Sequence, residues 1–219
     1  MRLGSTRSKL LIILLGVAVF AAACGGGSEP PTPVPPTATP ESAAPLGWAR
    51  IEGDGVALWL PLDYAGGDPS GDDQDVLNTI HNLAPQFEQT INDMRSRGAG
   101  IILAAFDVRA SSPTLLTNMI VVRFQGEEAI TPEQYLQLVL ASPPPATETL
   151  QSGVGRVNTY PAARLVREQR IFGPPIRQVT YAVFRDMNIW VITYSTPADE
   201  FETRLPTFEQ SVQTFEILS

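Results

Sequence analysis

The chain has one cysteine, one histidine and four methionines in 219 residues, and its only lysine is Lys9. One cysteine excludes an internal disulfide, so an apolar core must hold the fold. One histidine, His81, together with one cysteine excludes the usual zinc ligand sets. No G-x-S-x-G occurs, so His81 has no nucleophile elbow to serve. Its neighbours Ile80 and Leu83 belong to a packing face, and it reads as a helix histidine, at the surface or partly buried. The glycine run Gly25-Gly26-Gly27 lacks the strand and helix that make a phosphate loop. Positive charge is also scarce, with 15 basic residues against 23 acidic ones. Such a surface does not displace counterions from nucleic acid or dock on anionic headgroups. No cofactor, no metal and no nucleic acid are expected, and no enzyme chemistry.

The N-terminus is more informative. Arg2, Arg7 and Lys9 precede an apolar segment that ends in Ala21-Ala22-Ala23 before Cys24. A basic start, a short apolar stretch and small residues make a secretory signal. The competing reading is a transmembrane anchor. Leu10 to Cys24 would make a helix of about 22 Å, short of a hydrocarbon core of about 30 Å. No basic cluster follows as a stop signal.

Phe20-Ala21-Ala22-Ala23-Cys24 resembles the lipobox of bacterial lipoproteins, with Ala21 where that family most often has leucine. The resemblance implies a signal peptide over 1–23, a diacylglycerol on the Cys24 sulfur and an acylated, for example palmitoylated, new N-terminus. It implies a protein held by lipid on the extracytoplasmic face of a bacterial membrane. Cleavage removes three cations and leaves 12 basic residues, all arginine, against 23 acidic.

Residues 24–46 read as the lipidated cysteine and a linker. The linker holds Pro30, Pro31, Pro33, Pro35, Pro36, Pro40 and Pro45, spaced mainly by Thr, Ala and Ser after the Gly25-Gly26-Gly27 run. That composition favours an extended spacer with a reach of roughly 60 Å. Threonine beside proline also suits O-linked sugars. From Gly47 to Ser219 the character changes to that of one domain with a sizeable core.

Within 47–219, Trp48–Glu52 and Val56–Leu60 read as a hairpin across Gly53-Asp54-Gly55. Helical spacing follows over 75–97, interrupted by Pro85. Ile101–Val108 and Asn118–Phe124 read as core strands. Thr131-Pro132-Glu133-Gln134 is a helix start, with a Thr cap and Gln three residues on, and that helix runs to about Ala141. Val154–Asn158 and Ala162–Arg170 are weaker strand signals. Gln178–Arg185 and Ile189–Thr196 form a hairpin across Asp186-Met187-Asn188. Phe201, Leu205, Phe208, Val212 and Phe215 mark one face of a terminal helix that Pro206 should break. Ile101 to Phe106 shows no polar alternation, so the strands need cover on both faces, and helices are the available cover. The expected class is α+β: a mainly antiparallel sheet between helical layers.

Gly55-Val56-Ala57-Leu58-Trp59-Leu60-Pro61, the Tyr181 to Thr196 hairpin and the closing Phe201–Phe215 helix together resemble the PsbP-like α/β/α sandwich. That architecture is shared by lipoproteins of the LpqN and DcrB types. Its members bind different partners, so the resemblance implies an accessory or binding role without naming one.

Several clusters offer chemistry. Asp63, Asp68, Asp72, Asp73 and Asp75 suggest a calcium loop, but their spacing misses the D-x-[DN]-x-[DN]-G pattern. Asp72, Asp73 and Asp75 equally suit the start of the following helix. Arg164, Arg167 and Arg170 suggest an anion site, yet in a strand Arg167 faces away from the other two, as guards of an edge strand would. Trp48, Trp59 and Trp190 suit core packing or a ligand pocket. Glu127 and Glu128 would be the carboxylates of an envelope hydrolase. The expectation is a monomeric, lipid-anchored binding or assembly-support protein with an envelope protein as partner. A small-molecule or lipid carrier is the alternative, and an envelope hydrolase a further one.

Overall fold

The structure is a computed structural model; it describes residues 45–69, 76, 78, 81–82, 100–109, 116–170 and 173–218. All of them belong to one compact unit, Pro40–Ser219. The signal 1–23, Cys24, nearly all of the linker, and Asp72, Asp73 and Asp75 lie outside the described residues. So does most of the helical stretch expected over 75–97, of which Val76, Asn78, His81 and Asn82 are helical.

Strands β1 (Trp48–Gly53) and β2 (Val56–Pro61) form the expected hairpin. Gly53 is required there: a Cβ on it would lie 2.0 Å from the Ile102 carbonyl oxygen. That oxygen accepts a hydrogen bond from the Asp54 amide at 3.1 Å, which ties the hairpin to the larger sheet. Strand β3 (Tyr64–Gly67) follows, then the two core strands β4 (Gly100–Asp107) and β5 (Asn118–Gln125). Helix α1 (Pro132–Ala141) starts on a complete capping box. The Gln134 amide donates to the Thr131 hydroxyl, and the Thr131 amide donates to the Gln134 side chain.

The weak strand signals turn out to be long strands, β6 (Thr147–Val157) and β7 (Tyr160–Gln169). Exposure along β6 hides the alternation that sequence reading depends on. Strands β8 (Ile176–Arg185) and β9 (Asn188–Pro197) turn on Asp186-Met187 alone, with Asp186 at φ 57° and Asn188 already paired to Arg185. Helix α2 (Phe201–Val212) runs through Pro206 instead of breaking there. The proline forfeits one backbone bond, but buried Phe201 on one side and Phe208 and Val212 on the other hold the helix. The helix also stops earlier than the apolar spacing implies. Phe215 is buried beyond its end, and Glu216–Ile217 forms a short strand β10 against β2.

Among the described residues the pairing makes two sheets rather than one. A three-stranded sheet has the order β1-β2-β10, and a seven-stranded sheet has the order β3-β4-β5-β9-β8-β7-β6. Every pair is antiparallel. Both faces of the larger sheet are apolar, as the continuous runs require. On one face Val166, Val183, Ile192 and Tyr194 pack with Phe201, Phe208 and Val212 of α2 and with Leu58 and Leu60 of β2. The alternate residues Leu165, Ala182 and Phe184 point the other way and meet Leu136 of α1. Val76 packs against Ile101, Ala104, Phe106 and Val122.

A candidate binding groove along an exposed edge strand

Strand β6 ends the larger sheet, and its residues are exposed on both faces from Leu150 to Arg156. A bulge at Leu150 shifts its pairing with β7 between Thr149 and Gln151. Beyond the bulge, Gln151, Gly153 and Gly155 lie opposite Val166, Arg164 and Ala162, and so share the face that α2 covers. Because Gly153 and Gly155 carry no side chains, a groove of about 740 Å³ opens between β6 and the C-terminal half of α2.

Four elements place polar groups in this groove. Arg164 of β7 donates to Gln151 Oε1 at 3.0 Å and to Glu209 Oε1 of α2 at 2.9 Å. Its guanidinium carbon lies 5.9 Å from the ring centre of Tyr181 on β8. Tyr181 is 5% exposed, and its buried hydroxyl finds no hydrogen-bond acceptor among the described residues. Burial pushes this phenol above its ordinary value, while the Arg164 guanidinium pulls it part of the way back. Gln213 fixes the groove's far end. Its side chain accepts from the Asn158 amide at 2.9 Å and donates to the Arg156 carbonyl at 3.3 Å.

The residues singled out from sequence do not converge here. Arg164 lines the groove, whereas Arg167 donates to the Val139 carbonyl of α1 on the other face, as strand alternation requires. Arg170 binds Glu168 at 2.6 Å, and Arg177 binds the second oxygen of Glu168 at 2.9 Å. These two arginines hold the Glu168 carboxyl below its ordinary value. Asp63 pairs with Arg109 at 2.8 Å, and Asp68 follows the end of β3. Among the described residues no group of three or more His, Cys, Asp or Glu is placed to hold a metal. His81, Glu127 and Glu128 are exposed. Trp190 is buried, and Trp48 and Trp59 are half-buried; none of the three lines the groove. Sequence reading missed Gly153, Gly155, Tyr181 and Glu209. The signal available was a Gly-x-Gly inside a stretch without charge between Glu148 and Arg156.

No family model and no curated protein matches this chain. Solved structures do. Cyanobacterial PsbP (CyanoP) from Synechocystis sp. PCC 6803 aligns with a TM-score of 0.51 at 11% identity, over 84% of this chain and 99% of that one. The fold is PsbP-like. LpqN, described as involved in cell envelope biogenesis of Mycobacterium tuberculosis, also aligns with a TM-score of 0.51, at 12% identity over 78% of this chain and 91% of its own. A protein from Bacteroides thetaiotaomicron VPI-5482 aligns at 0.43 with 10% identity over 75% of this chain, which spans 46% of that longer protein. In the PsbP-like domain, the described residues include no helix long and apolar enough to cross a membrane.

Proposed function

We propose that this chain is a lipid-anchored, extracytoplasmic binding or assembly-support protein that works by contact and not by turnover. Its PsbP-like domain is read as an α/β/α sandwich displayed on a proline-rich stalk from acylated Cys24. The observation that carries a binding role is the open groove along β6, where Arg164, Tyr181 and Glu209 from three elements converge beside an uncovered strand edge. LpqN, with the same fold, is tied to envelope biogenesis, which agrees with an accessory role at the envelope. A stalk that lifts the domain off the bilayer suits reaching a partner.

The test is site-specific crosslinking in intact cells, comparing the native chain with Cys24→Ser. One recurrent envelope partner, captured by the anchored form and lost from the unanchored one, is the expected result. A second reading, a small-molecule carrier, draws on the groove's size, which falls within the usual range of ligand sites of about 300–1,000 Å³. Full function from a soluble 47–219 fragment carrying a tightly bound small molecule, with no crosslinked partner, would favour that carrier over the proposal.

A further inference from the structure

On the groove side of the larger sheet, Gly153, Arg164 and Tyr181 form one cross-strand row, starting at the free edge. Gly155, Ala162 and Val183 form the next. The fold itself has no need of glycine at 153 or 155. Neither has a positive φ, and a Cβ on either would meet nothing within 4 Å. Glycine inside a strand destabilises it relative to alanine. It often marks a place where another backbone or a ligand approaches closely.

The Tyr181 hydroxyl is a second, independent sign. Arg164 beside it can only donate, so the phenol proton has no acceptor among the described residues. Other buried polar atoms lack partners as well, but Tyr181 is the one that lines the groove. The edge itself is a third. Thr149 to Gly155 contains no charge and no proline, and Leu150 and Val154 are 40% and 50% exposed. Edge strands are normally guarded by charge, proline or cover against pairing with another chain.

We infer that β6 is the docking edge for an extended segment of a partner protein, which adds as a further strand and sets a carboxylate side chain opposite Gly153. That side chain crosses the bare glycine, so that its oxygens accept from Arg164 and from Tyr181. The partner strand and β7 are two strand spacings apart, roughly 10 Å, which a glutamate and an arginine bridge between them. Charge favours this occupant. The groove face carries one arginine side chain, Arg164, whose acid Glu209 is easily displaced, and beside it the Tyr181 proton still needs an acceptor. Glu209 is 49% exposed, and such a surface pair contributes little, so an incoming carboxylate can share or replace it. Main-chain bonds along β6 would supply affinity, and the acidic residue over Gly153 specificity. The inference rests on the partner-binding reading and names where and what that partner presents.

The probe is a short synthetic peptide of alternating threonine and valine with a central glutamate, set against its central-glutamine twin. Both are titrated by fluorescence anisotropy on the full-length chain, with hydrogen exchange read along β6. The glutamate peptide should bind and protect residues 147–157. The glutamine twin should bind about tenfold more weakly, the factor expected for one charge-assisted hydrogen bond. Gly153→Val fits the open space above the strand and should leave the melting temperature no lower, yet erase the difference between the peptides. Arg164→Met should erase it too. Equal binding of the two peptides, no binding of either, or protection outside β6 would overturn the inference. So would β6 protection that rises with protein concentration alone, which would seat a second copy there. Crosslinks to a cellular partner from other surfaces, with β6 unprotected, would also overturn it while leaving the binding function standing.

Discussion

Single residues join the parts of this fold, and the clearest case is Ser211. It is fully buried, accepts from the Tyr194 hydroxyl at 2.9 Å and donates to the Trp59 carbonyl at 2.7 Å. One side chain thus links α2 to both sheets. Ser211→Ala would leave the tyrosine proton and the carbonyl unpaired in the core, and should cost about 1–3 kcal/mol in urea unfolding. Tyr194→Phe added to it should cost less than the two single changes summed, because both remove the same bond. Additive losses would mean the bond carries no coupling. Glu168 offers a pH test. Its carboxyl is held below the ordinary value of 4.5 by hydrogen bonds from Arg177 and Arg170. The native state therefore favours the charged form. The stabilisation is complete above the ordinary value and is lost as pH falls through the lower folded value. Glu168→Gln should flatten the acid side of the stability profile, measured as urea midpoints at stepwise lower pH. An unchanged slope would remove Glu168 from the acid response.

At the scale of elements, α2 carries the greatest weight. Phe208 is 1% exposed and stacks on Tyr194 with ring centres 4.9 Å apart. Phe208→Ala should cost about 3–5 kcal/mol, as large core truncations do. A loss under about 1 kcal/mol would place that helix face in solvent. This helix was legible because Phe201, Phe208 and Val212 recur at helical spacing, and α1 because Thr131 and Gln134 spell a capping box. The hairpins were legible from Gly53-Asp54-Gly55 and Asp186-Met187. The elements misread share a cause. Strand β6 buries only its last residue, Val157, so no burial pattern marks it. The pairing of β10 joins Glu216 to Ala57 across the whole domain, and local sequence does not encode such a contact. The groove was illegible for the same reason. Gly153, Arg164, Tyr181 and Glu209 meet only once β6, β7, β8 and α2 have paired and packed.

For the whole molecule, an apolar core on both faces of the larger sheet should hold the PsbP-like fold without thiol or metal. The fragment 47–219 should fold alone as a monomer, with a melting temperature indifferent to reductant and chelator. A marked drop with chelator would revive a calcium site around Asp63 to Asp75. The proposed function depends on where this domain is held, and the chemical state of Cys24 tests that. Mass spectrometry of the native protein from bacterial membranes is the most direct measurement. An N-terminal peptide that begins at acylated Cys24, with residues 1–23 gone, is the expected result. Recovery of an intact, unacylated chain that begins at Met1 in those membranes would contradict it.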